Sequence, residues 1–147
     1  MGDEIRVPID SDSDMVPARA QGRALATELG FSRTDATLIA TAISEIARNI
    51  VVHVGQGEIV LQPLYEDSRY GLLVVAQDAG PGINDIDAAL DHGFASGKGL
   101  GLGLPGARRL MDEFEIDSEP GKGTTVKMKK WRIRDELERL REQRARG

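Results

Sequence analysis

Residues 76–109 constrain this chain more than any other stretch. They read AQDAGPGINDIDAALDHGFASGKGLGLGLPGARR. An acid, Asp78, stands ahead of Gly80-Pro81-Gly82-Ile83, and a ladder of alternate glycines follows at Gly97, Gly99, Gly101 and Gly103, with Gly106 close behind. Glycine clustered in this way suggests backbone that approaches a ligand, more than general flexibility. A linker would be rich in serine and would not alternate glycine with leucine up to a proline-started helix. Free backbone N–H groups at a helix N-terminus favour an anion, and phosphate is the usual one. The run Gly101-Leu102-Gly103-Leu104-Pro105-Gly106 literally matches G-x-G-x-x-G, but its context argues against a Rossmann site. That fingerprint follows a hydrophobic strand directly and needs an acid about 20 residues on. Here more glycine precedes it and no βαβ pattern surrounds it. A Walker loop fails too, because Lys98 is followed by Gly99 and not by Ser or Thr.

Bulk properties narrow the field further. A net charge of -5 leaves no basic footprint for nucleic acid. The absence of cysteine excludes disulfides, thiolate zinc sites and a cysteine nucleophile, and fits a cytoplasmic setting. The first residues, MGDEIRVPID, carry no apolar signal-peptide core. The longest strongly apolar run, 72–76, is far too short to span a bilayer, so no membrane role is expected.

Around the glycine-rich stretch the chain reads as one domain over residues 1–131. Ile5, Val7 and Ile9 alternate against Arg6 and Pro8, an edge-strand pattern because proline cannot donate to a ladder. A helix is expected over 15–29, stopped by Gly30. A longer one over 34–53 is capped by Ser32 or Thr34, and its Ile39, Ile43, Ile46 and Ile50 recur at helical spacing. Strands are expected over 58–65 and 69–77, the second apolar enough to be central. A short helix near 85–90, a loop to 103, a helix with Pro105 in its first turn running to about residue 112, and strands over 113–118 and 124–129 complete the pattern. Residues 132–147 form a charged helical tail, in which Ile133, Leu137 and Leu140 make one thin apolar seam. A seam that short is marginal for a coiled coil, so a solvated helix is the safer reading.

Two further groups have chemistry to offer. Asp78, at the end of an apolar strand, can accept from an exocyclic amine such as that of adenine. By itself, though, an acid before Gly-Pro-Gly is usually a turn. Glu45 and Asn49 lie four apart and share one helix face. A carboxylate can act as general base, and an amide oxygen one turn away can ligate Mg²⁺. The plainer reading of such a pair is a solvated helix flank.

In order, Glu45-x-x-x-Asn49, Asp78-x-Gly80-x-Gly82, Gly99-x-Gly101-x-Gly103 and Gly123-Thr124 resemble the N box and the three glycine boxes of the GHKL (Bergerat-fold) ATP-binding superfamily, which includes gyrase-, MutL- and histidine-kinase-type domains. More closely, TAISEIARNI, DAGPGI, GLGLGLPGARRLMDEF and GKGT resemble the RsbT-type switch kinases of the bacterial stressosome, relatives of the anti-sigma-factor serine/threonine kinases. This resemblance covers residues 5–131 and stops before the arginine-rich tail. It implies an α/β (α+β) two-layer sandwich, with helices on one face of a mixed, mostly antiparallel sheet. It also implies an ATP- and Mg²⁺-dependent protein kinase acting on Ser or Thr. Glu45 would be the catalytic base and Asn49 the metal ligand. Asp78 would hold the adenine amine, with Gly80, Gly82, Ile83 and Thr124 around the base. Lys98, Gly99, Leu100, Gly101, Leu102 and Gly103 would wrap the phosphates within a lid starting near residue 91, although Lys98 could equally face a partner or solvent. STAS-domain scaffold and antagonist proteins would be the substrates, and a PP2C-type phosphatase or other effector the downstream partner. The alternative function is a nucleotide-dependent, anti-sigma-factor-type protein that sequesters a partner. A detached histidine-kinase catalytic domain fits less well, since no helical hairpin with a phosphorylatable His is present.

Overall fold

The computed structural model describes residues 4–80 and 103–132, and the alternation read from the sequence becomes a five-stranded sheet. In chain order the elements are β1 (Ile5–Ile9), α1 (Met15–Glu28), α2 (Arg33–His53), β2 (Gly57–Glu66), β3 (Arg69–Asp78), α3 (Gly103–Leu110), β4 (Glu113–Ser118) and β5 (Thr124–Trp131). The strand order is β1-β2-β3-β5-β4, so the apolar β3 is central and the proline-bearing β1 is an edge. The two-layer expectation holds, and every described pairing is antiparallel. The expected helix near 85–90 and most of the tail, 133–147, lie outside the described residues. No helix among the described residues is long and apolar enough to cross a membrane.

Sheet and helices share one core because their apolar periods face each other. Val7 and Ile9 of β1, Ile59 and Leu61 of β2, Leu72, Val74 and Ala76 of β3, and Val126 and Met128 of β5 are all buried. They cluster with Ile39, Ile43, Ile46 and Ile50, the stripe of α2. Burying side chains of this size contributes about 1.5–3 kcal/mol each. Both α1 and α3 pack against α2, which is therefore the central member of the helical layer. Its first turn is capped by Ser32, whose hydroxyl accepts from the Asp35 N–H at 3.1 Å. Helix α3 opens at Gly103, which puts Pro105 in its first turn as expected, where its missing N–H costs nothing, and it ends at Leu110, about two residues short of the expected end.

β2 and β3 pair from Gly57–Asp78 to Glu66–Arg69, leaving a two-residue turn at Asp67-Ser68. Both turn residues have positive φ, 51° and 64°. That is the geometry whose twist suits a tight hairpin, and it favours glycine at the second position. Ser68→Gly is expected to raise stability by about 1 kcal/mol, the cost of a left-handed non-glycine residue being about 1–2 kcal/mol. Thermal unfolding of the unliganded protein measures it.

The Trp131 side chain is held by residues of the sheet. Its indole N–H donates to Glu113 Oε2 at 2.6 Å, and the Arg69 guanidinium lies 4.1 Å from the ring centroid.

Candidate nucleotide-binding site

β-Pairing assembles the site at one end of the sheet. Asp78 is directly opposite Gly57 on one side and Thr124 on the other, and Thr124 is opposite Ser118. Asp78 and Thr124 have the strand parity of Ala76 and Val126, so both project from the helix-covered face. Asp78, Thr124 and Ser118 are half-buried. A carboxylate and two hydroxyls therefore form a polar row at the end of an apolar face.

Local hydrogen bonds orient that row. Asp78 Oδ1 accepts from the Gly80 N–H at 2.9 Å, which turns the carboxylate and leaves Oδ2 for other company. Two glycines permit the crowding. Gly123 has φ +85°, and a Cβ there would lie 2.2 Å from the Asp78 carbonyl oxygen. A Cβ on Gly80 would lie 2.7 Å from a Val54 methyl. The second contact matters because Val54 caps the C-terminus of α2. It brings the end of α2 against the loop that follows Asp78.

Asn49 lies in this part of α2, with Glu45 one turn earlier, and both are half-buried. Asn49 Nδ2 is a buried polar atom with no hydrogen-bond partner among the described residues. An orphaned buried amide costs free energy and calls for a partner. A half-turn of the amide puts its oxygen at the same point, which is the hard donor that Mg²⁺ takes. The described residues hold no cluster of three or more His, Asp or Glu suited to a metal. One amide oxygen would then be the described protein's share, with phosphate oxygens and water completing the shell, a usual arrangement for Mg²⁺. On these grounds the residues fit the ion.

The structure thus brings together Asp78, Gly80 and Thr124, with the Asn49 end of α2 beside them. Gly103 opens α3. Gly82, Ile83, Lys98, Gly99, Leu100, Gly101 and Leu102 lie outside the described residues. Arg108 and Arg109 are exposed on α3. Ser118 was not singled out by the sequence reading. The usable signal was a hydroxyl residue just before a glycine-containing turn, facing Thr124 once the hairpin closes.

His53 follows Asn49 by one turn, and burial lowers its pKa from the ordinary 6.5. The folded protein therefore favours the neutral ring. Its contribution is present in full above pH 6.5 and is lost as pH falls through the lower, folded value. Tm should decline on acidification below pH 6.5, and His53→Gln should flatten that limb. Parallel Tm–pH curves for the two proteins would remove His53 as the cause.

Comparison with known proteins identifies the family. The family model for the histidine kinase-like ATPase domain matches residues 9–130. The serine/threonine-protein kinase RsbT of Bacillus subtilis is 46% identical over 131 residues, covering 89% of this chain and 98% of RsbT. The anti-sigma F factor of Caldanaerobacter subterraneus subsp. tengcongensis is 32% identical over 120 residues, covering 78% of this chain and 82% of that protein. Among solved structures, the RsbU and RsbW domains of a Mycobacterium tuberculosis protein align with TM-score 0.58 at 23% identity, covering 90% of this chain and 34% of that one, a likeness of fold. The chain belongs to the histidine kinase-like ATPase family, on the serine/threonine-protein kinase branch that RsbT represents.

Proposed function

We propose that this protein transfers the γ-phosphoryl group of ATP to a serine or threonine of a STAS-domain partner, in a stressosome-like partner-switching module of the bacterial cytoplasm. The observation that carries the reading is the register of Asp78 with Thr124, beside the end of α2 that bears Asn49. That arrangement supports the reading because a carboxylate and a side-chain amide then stand at the same end of the sheet, available to an adenine amine and to a metal ion. Phosphoryl transfer asks chiefly for positioning and charge neutralisation. Asn49 would hold Mg²⁺, which would supply charge neutralisation. The adenine amine donates to Asp78, and the glycine ladder wraps the phosphates. Glu45 accepts the proton of the acceptor hydroxyl as its oxygen bonds to the γ-phosphorus. The bond to the bridging oxygen breaks and ADP leaves. Phosphorylation then releases the kinase from its STAS partner, and the freed protein engages a PP2C-type phosphatase or another effector.

The likeness to anti-sigma F factors favours one second reading, in which nucleotide binding controls sequestration of a partner. Incubation of the purified protein with labelled ATP, Mg²⁺ and candidate STAS proteins separates the two. Phosphoserine or phosphothreonine on a partner is the expected product. ATP-dependent complexes that never acquire label would replace the kinase reading with the sequestering one.

A further inference from the structure

Ser118 has two described hydrogen-bonding relations, and one of them decides the direction of the other. Its Oγ donates to the Gly123 carbonyl at 3.1 Å, since a carbonyl only accepts. Its Oγ is also 2.9 Å from Thr124 Oγ1. A serine hydroxyl has one proton. With that proton committed to Gly123, Thr124 is the donor in the second bond. Thr124 Oγ1 then turns only lone pairs toward the space beside Asp78, its cross-strand neighbour. An ionised Asp78 is acceptor-only as well.

We propose that Ser118 is a positioning residue that sets base selectivity: it holds Thr124 as an acceptor, so that this end of the sheet favours a 6-amino purine over a 6-oxo purine. The proposal rests on the reading of Asp78 as the partner of the base. Its logic is electrostatic matching. Two acceptors side by side satisfy an exocyclic amine or a water bridging to it. A 6-oxo group presents a third acceptor, leaving a half-buried oxygen unpaired. Release of the Thr124 proton from Ser118 lets Thr124 turn and donate, which relaxes the penalty on the 6-oxo base.

The test is the ratio of affinities for ATP and inosine triphosphate, measured by direct titration of the full chain. The two ligands share ribose and phosphates and differ on the ring at the 6-position group and the N1 proton. Ser118→Ala is expected to lower the ATP preference about fivefold, the effect of about one hydrogen bond. Ser118→Thr, which keeps the hydroxyl and suits a strand, is expected to restore the wild-type ratio. In a Thr124→Val background, Ser118→Ala is expected to change the ratio no further, because its effect runs through the Thr124 hydroxyl. An unchanged ratio in Ser118→Ala, or an equal and independent effect in the Thr124→Val background, overturns the proposal. Should Ser118→Ala fail to fold, Ser118→Cys takes its place, its thiol being a weak donor, and the same two criteria apply. Equal wild-type affinities for the two nucleotides, with no loss on Asp78→Asn, would instead overturn the reading of Asp78 itself.

Discussion

Glu45→Ala is expected to cut phosphoryl transfer by about 10²–10⁴-fold while leaving ATP affinity within about twofold of wild type, the range typical for removal of a general base. The split follows from where Glu45 sits. It is half-buried on α2, one turn before Asn49, on a helix held in the core by Ile39, Ile43, Ile46 and Ile50. Alanine is the strongest helix former, so the substitution leaves α2 and its isoleucine contacts in place. The proposed contacts to the adenine amine come from Asp78 at the end of β3, a different element. Single-turnover transfer of labelled phosphate at saturating ATP gives the chemical step, and direct titration gives ATP affinity. A helix merely loosened by the change would weaken both together. Undiminished transfer would remove Glu45 from the role of base and send the search to another residue near Asn49.

Much of the scaffold was legible in the sequence because its signals are local. The spacing of four isoleucines specifies α2 and the face it buries, and all four are in the core. The position of Pro8 assigns β1 to an edge, since a missing donor is tolerated there. The apolar run of β3 marks the central strand. The internal arrangement of the site was not legible in the same way. Asp78 and Thr124 are neighbours only through a ladder that joins residues 46 apart in the chain, and no local period encodes that register. Ser118 enters through the same pairing, one strand further out. That Asn49 Nδ2 lacks a partner among the described residues depends on what α2 packs against, which only the assembled core decides. Motif spacing thus pointed to the residues, and long-range register brought them side by side.

Asp78→Asn is expected to weaken ATP binding by two to three decades with little change in the unliganded fold. The substitution is nearly isosteric, so its effect is one of hydrogen-bond polarity. In the native site Oδ1 accepts from the Gly80 N–H at 2.9 Å, and Oδ2 is the oxygen left to meet a ligand donor. An asparagine has one oxygen to divide between those two claims. If its oxygen stays with Gly80, its NH₂ meets the adenine amine, donor against donor. If the amide turns over, the NH₂ meets the Gly80 N–H, and the loop that packs on Val54 loses its tie. Each orientation forfeits a hydrogen bond to a charged group, about 1.5–3 kcal/mol, and leaves a donor unpaired at about 1–3 kcal/mol. A combined loss of roughly 3–4 kcal/mol corresponds to about 10²–10³-fold in Kd. The signature in a thermal melt is a ligand effect that disappears. ATP at 100 times the wild-type Kd stabilises the wild-type fold by about 2.7 kcal/mol, and the variant at that concentration should gain less than about 1 kcal/mol. Wild-type stabilisation of the variant by ATP would show that adenine is held elsewhere, and the polar row at the end of β3 would then need another ligand.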